Sequence, residues 1–107
     1  MNGYQVTFFT QQNRMHAGLT IGEWLVQEAR ALGASGATLV AASSGFGHDH
    51  KLHSAHFFDL ADQPIEVTMA LSEGITEQLF QRLQQENLKV FYIKTPIEYG
   101  FTEGVQG

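Results

Sequence analysis

The sequence predicts one α+β domain in which two helices alternate with four strands in the order β-α-β-β-α-β. Two helix-start signals, the apolar stripes that follow them, and four short strand-like segments around them carry that prediction. At 107 residues the chain makes a single domain, residues 1–107, able to bury about 65% of its unfolded surface without disulfide staples.

Tyr4 to Thr10 is rich in aromatic and β-branched residues and places Tyr4, Val6 and Phe8 on one face, which predicts the first strand. The polar run from Gln11 to Gly18 reads as a loop. Thr20-Ile21-Gly22-Glu23 has the form of a capping box, in which the hydroxyl and the carboxylate each satisfy a backbone N–H at a helix start. Ile21, Trp24, Leu25, Ala29 and Leu32 follow at helical spacing, and Gly33 supplies a stop, so the first helix spans about 20–33. Trp24 belongs to the core or an interface.

Gly36 to Ala42 reads as the second strand. Pro64 to Leu71 alternates Ile65, Val67, Met69 and Leu71 with smaller or polar residues, the pattern of a strand with one covered face, and proline is tolerated at its first position. Ser72 caps a second helix at about 73–86, whose stripe is Ile75, Leu79 and Leu83, with Glu73 and Glu77 early where negative charge is favoured. Leu88 to Ile93 is an apolar run suited to a buried last strand, and residues 95–107, with Pro96, read as a C-terminal tail. The elements assemble as a ferredoxin-like fold, a four-stranded antiparallel sheet with two helices on one face. Tyr4, Phe8, Phe9, Val40, Phe91 and Ile93 exceed what two short helices cover, so the open sheet face predicts a homo-oligomer.

The net charge of −5 argues against nucleic acid as a partner. The absence of cysteine excludes disulfides and thiolate chemistry. No apolar run reaches the length of a membrane span, and Met1-Asn2-Gly3-Tyr4 lacks the features of a signal peptide, so a cytoplasmic location is expected. No nucleophile has a credible base, and the expectation is a protein that is not an enzyme.

The segment from residue 43 to 63, between strands two and three, is long, polar and hinged by Gly45 and Gly47, which marks it as functional. His48, His50, His53 and His56 fall within nine residues there, with Asp49 beside them. They read either as solvated side chains that order the loop or as ligands of a divalent metal such as zinc, nickel or copper, which would make the protein a histidine-based metal-binding sensor or carrier. Arg14 and His16 precede the helix start at Thr20, where an anion is favoured, and form a secondary anion-site candidate beside the ordinary reading of a solvated loop.

The run Gly36, Thr38, Leu39, Gly45, Phe46, Gly47, the passage Phe58-Asp59-Leu60 to Val67, and Lys89-Val90-Phe91-Tyr92 resemble PII signal-transduction proteins. The opening Gln5 to Thr10 and the order His53-Ser54, Phe58, Pro64 resemble more closely the PII-like branch known as domain of unknown function 190. The resemblance covers residues 4–95. It implies a homotrimer that senses a small-molecule effector, an adenine nucleotide, in clefts between subunits and signals through the 43–63 loop to a protein partner such as a membrane transporter. The ligand-binding residues it implies are Thr38, Gly45, Phe46, Gly47 and Lys89. Three departures stand out. One residue is added between Gly36 and Gly45, Glu86-Asn87-Leu88 replaces a Gly-Asp-Gly before the lysine, and Glu98, Tyr99 and Phe101 occupy the region of paired arginines. They imply a ligand with fewer phosphates than a triphosphate, or no nucleotide at all.

Overall fold

The structure, a computed structural model, describes residues 1–42, 44–45, 53–54 and 63–103. Its elements are β1 (Asn2–Gln11), β2 (Met15–His16), β3 (Leu19–Thr20), α1 (Ile21–Ala31), β4 (Ala37–Ala41), β5 (Ser44–Gly45), β6 (His53–Ser54), β7 (Pro64–Ser72), α2 (Glu73–Gln85) and β8 (Phe91–Glu98). Four of the strands form one sheet in the order β4-β7-β1-β8, antiparallel throughout, with both helices on one face. This is the α+β, ferredoxin-like fold expected from the sequence.

Both helices start and stop where local chemistry directs. Thr20 and Glu23 form a complete capping box on α1, and the Ser72 side chain accepts from the Ile75 N–H on α2. Each helix ends in a Schellman motif: Gly33 N–H donates to Arg30 and Ala34 N–H to Ala29, while Asn87 N–H donates to Gln84 and Leu88 N–H to Leu83. Gly33 takes φ 95° and Asn87 φ 54°, the left-handed conformation the motif requires. The sequence placed the end of the first helix two residues too late, because cap residues share the helical pattern.

Alternate residues of the central strands face the helices. Val6, Phe8, Val67, Leu71, Leu25 and Leu79 are fully buried, and Trp24 is buried beside them. Each such side chain contributes about 1.5–3 kcal/mol when removed from water. A Cβ on Gly22 would lie 2.9 Å from Leu39 Cδ1 and 3.3 Å from Ile65 Cγ2, so glycine lets α1 settle close to the sheet.

The other face carries no helix. By register it presents Val40, Glu66, Phe9 and Phe91 in one row and Thr38, Thr68, Thr7 and Ile93 in the next. Phe91 is 58% exposed, Ile93 52% and Val40 50%. Tyr4 and Phe8, expected among the surplus apolar residues, point instead to the helix side, where Phe8 packs on Phe80 at 5.8 Å.

Three sequence expectations are corrected. The last strand begins at Phe91 and runs to Glu98, so residues 95–98 of the expected tail belong to the sheet; Pro96 is accommodated because β8 is an edge strand with β1 as its one neighbour. The same edge position leaves β8 exposed rather than buried. The stretch from Gln11 to Gly18 is not all loop, since β2 and β3 form a hairpin around Ala17 (φ 52°) and Gly18 (φ 80°), a two-residue turn with both φ angles positive. Among the described residues no helix is long and apolar enough to cross a membrane.

Candidate functional site

A groove of about 460 Å³ opens on the uncovered sheet face, lined by Gln5, Gly36, Thr38, Thr68, Ala70 and Ile97. Period-two alternation puts these side chains on the side away from the helices, and the small residues Gly36 and Ala70 leave the space. Thr7 and Thr68 share a hydroxyl hydrogen bond of 3.1 Å at the groove's inner side. Among the described residues no charged side chain lines it. The groove suits an uncharged, flat group that exchanges hydrogen bonds with hydroxyl and amide side chains. On the helix side of the same edge, a smaller depression of about 300 Å³ is lined by Val26, Arg30, Ala34 and Ser35.

Lys89 sits at the other side of the sheet, in the turn between α2 and β8, with an exposed side chain. No hydrogen bond or ion pair among the described residues engages its ammonium. Its main-chain carbonyl accepts a 2.8 Å hydrogen bond from Arg14 Nη2. Thr38 on β4 and Lys89 before β8 therefore flank opposite edges, about 14 Å apart across three strand spacings. They also differ in level along the strands, because Thr38 shares its row with Ile93.

Arg14 and His16, expected as a secondary anion site, are engaged with protein groups. His16 Nε2 lies 2.9 Å from Glu86 Oε1, and its ring stands edge-on to Trp24 with centroids 5.4 Å apart. The start of α1 is occupied by Glu23, whose Oε1 accepts from the Thr20 hydroxyl at 2.8 Å. The N–H groups of Glu86, Asn87 and Leu88 likewise donate to α2 carbonyls. The turn before Lys89 thus keeps these donors for the helix end rather than for a ligand.

Of the loop residues, Gly45 lies in β5 and pairs with His53 in β6, so residues 44–45 and 53–54 within the 43–63 segment form a short ladder. Ala42 N–H donates to the Pro64 carbonyl at 2.8 Å and closes its base. Phe46, Gly47, His48, His50 and His56 lie outside the described residues. Among the described residues no group of three His, Asp or Glu could hold a metal ion.

Sequence reasoning did not find Gln5, Thr68 and Ala70, although their period-two spacing opposite the core residues is the signal that places them beside Thr38. It also missed Glu86, whose partner His16 is 70 residues away.

The sequence profile of the DUF190 family (Uncharacterized ACR, COG1993) matches residues 3–96. No curated protein matches the chain. Among solved structures, a PII-like signaling candidate from Thermus thermophilus is similar at TM-score 0.65 and 24% identity, covering 90% of this chain and 87% of that one. CPII, a nitrogen regulatory PII-like protein from Thiomonas intermedia K12 bound to ADP, AMP and bicarbonate, is similar at TM-score 0.70 and 19% identity, covering 94% of this chain and 91% of that one. The apo form of CPII is similar at TM-score 0.54 and 16% identity, over 91% and 92% of the two chains. At these identities the likeness shows the fold.

Proposed function

The chain belongs to the DUF190 family, and on that premise we propose that it is a non-enzymatic regulatory module that binds an adenine nucleotide between neighbouring chains of a homotrimer. The observation that carries this reading is the separation of its two halves. The groove at Thr38, uncharged among the described residues, suits a base, and the Lys89 ammonium, without a partner among the described residues, suits a phosphate, but they stand at opposite sheet edges. A ligand that touches both bridges two chains. The exposed apolar residues Val40 and Phe91 in one row and Ile93 in the next supply the surface through which such chains associate.

The choice of nucleotide draws on the CPII structure that is bound to ADP, AMP and bicarbonate. In this chain the donors of Glu86, Asn87 and Leu88 are consumed by the α2 cap, leaving Lys89 as the phosphate contact. That favours ADP or AMP over ATP. The 43–63 segment, which follows the groove-bearing strand β4 in the chain and pairs residues 44–45 with 53–54 in the β5–β6 ladder, is the element that presents the bound state to a protein partner.

Isothermal titration with ADP, AMP and ATP, paired with light scattering, tests the reading. Binding of ADP or AMP to a particle of three chains supports it; a monomer at micromolar concentration, or no heat with any of the three, overturns it.

A further inference from the structure

The hairpin of β2 and β3 touches the α2–β8 turn at two points. Arg14, just before β2, reaches across 75 positions of sequence to the Lys89 carbonyl at 2.8 Å, and His16 in β2 meets Glu86 at 2.9 Å. The two contacts bracket the turn, one at the α2 C-cap and one at the residue before Val90.

The grip is itself anchored. Arg14 N–H donates to the Gln11 carbonyl at 3.1 Å, and the Arg14 carbonyl accepts from the Ile21 N–H at 2.9 Å, tying its backbone to the end of β1 and the start of α1. The His16 ring rests against Trp24, which is 5% exposed. Inside the turn, Asn87 holds φ 54° and the Schellman bonds fix Glu86 to Leu88 on the end of α2. Lys89 follows the last of those bonds, between Leu88 and Val90, which pack against the core. The Arg14 contact to its carbonyl braces the turn from outside.

We propose that Arg14 and His16 are positioning residues that set the Lys89 ammonium for its ligand. The proposal rests on the reading of Lys89 as the phosphate contact. An ammonium on a four-carbon stem gains more from a charge-assisted contact when its backbone is already held, because otherwise the ordering cost falls on binding. Arg14 works through a carbonyl, so its action on the ligand passes through Lys89 and requires no contact of its own.

The experiment is a double-mutant cycle on the full-length protein, with ADP as the probe and two readouts. Arg14→Met keeps the aliphatic stem and removes the donor; Lys89→Ala removes the ammonium; the double variant carries both. If Arg14 acts through Lys89, Arg14→Met weakens ADP binding about three- to tenfold and the double variant binds no more weakly than Lys89→Ala alone. Arg14→Lys, which can still donate to the carbonyl, recovers part of the loss. The second readout needs no ligand: amide exchange at Asn87 and Leu88 accelerates about tenfold in Arg14→Met while β1 and β7 keep wild-type protection.

Fully additive losses would make Arg14 a direct ligand contact and overturn the proposal. So would unchanged exchange at Asn87 and Leu88. If Lys89→Ala binds ADP as wild type does, the assignment of Lys89 fails, and exchange alone then decides whether the hairpin holds the turn.

Discussion

Thr38 and Lys89 flank opposite edges of one four-stranded sheet, Thr38 on β4 and Lys89 in the turn that feeds β8. A groove without charge lies beside the first and an ammonium without a partner among the described residues marks the second. In the proposed function, association of chains through the open sheet face brings such halves together.

The open face is the first test. Ile93 is 52% exposed and shares its row with Thr7, Thr68 and Thr38. Ile93→Asp places a charge that a single chain solvates and an apolar interface cannot. Light scattering should show the mass fall from three chains to one, with the far-ultraviolet circular dichroism of a folded α+β domain retained. A trimer that survives the substitution places the interface elsewhere.

The groove hydroxyl is the second. Thr38→Val keeps shape and removes one hydrogen-bonding group, which costs about 1 kcal/mol and so about fivefold in ADP affinity if the hydroxyl meets the ligand. Lys89→Ala should cost about tenfold, the loss of a charge-assisted contact of about 1.5 kcal/mol. Titration calorimetry reads both.

The elements legible in the sequence were those encoded by neighbouring residues. Thr20 and Glu23 announce α1, Ser72 announces α2, and the alternation of Ile65, Val67, Met69 and Leu71 announces β7 with its covered face. The β2–β3 hairpin escaped because its turn is Ala17-Gly18, and Ala at a positive φ lacks the Asn-Gly or Asp-Gly signature that such turns usually carry. The extent of β8 escaped because Pro96 reads as a break unless the strand is known to lie at an edge, which is a property of the whole sheet. The candidate site was legible only in part for the same reason. Thr38 and Lys89 could be named from a resemblance, whereas the Arg14 contact to Lys89 and the His16 contact to Glu86 are pairings of distant residues that no local pattern encodes.

Ala17 provides a stability test. An L-residue other than Asn or Asp at φ 52° is strained by about 1 kcal/mol, and asparagine tolerates that conformation better. Ala17→Asn should stabilise the protein by about 0.5 kcal/mol in urea denaturation. A loss of stability would contradict the positive-φ turn.

The capping box gives the opposite sign. The Thr20 hydroxyl accepts from the Glu23 N–H at 3.1 Å and donates to Glu23 Oε1 at 2.8 Å. Thr20→Ala should destabilise by about 1 kcal/mol in the same assay. A neutral result would mean that tertiary packing alone fixes the start of α1.

The central claim is that one ligand draws on two chains, and subunit mixing tests it most directly. Thr38→Trp fills the groove, and Lys89→Glu reverses the charge; as homotrimers each should bind ADP poorly. Co-expressed in equal amounts, the two variants assort at random, and a cleft that takes its β4 edge from one chain and its lysine from the neighbour is intact in about one case in four. The account predicts that calorimetry on the mixture recovers about a quarter of the sites at wild-type Kd. A mixture that recovers none, although its trimers contain both chains, would place the site within a single chain and contradict the account.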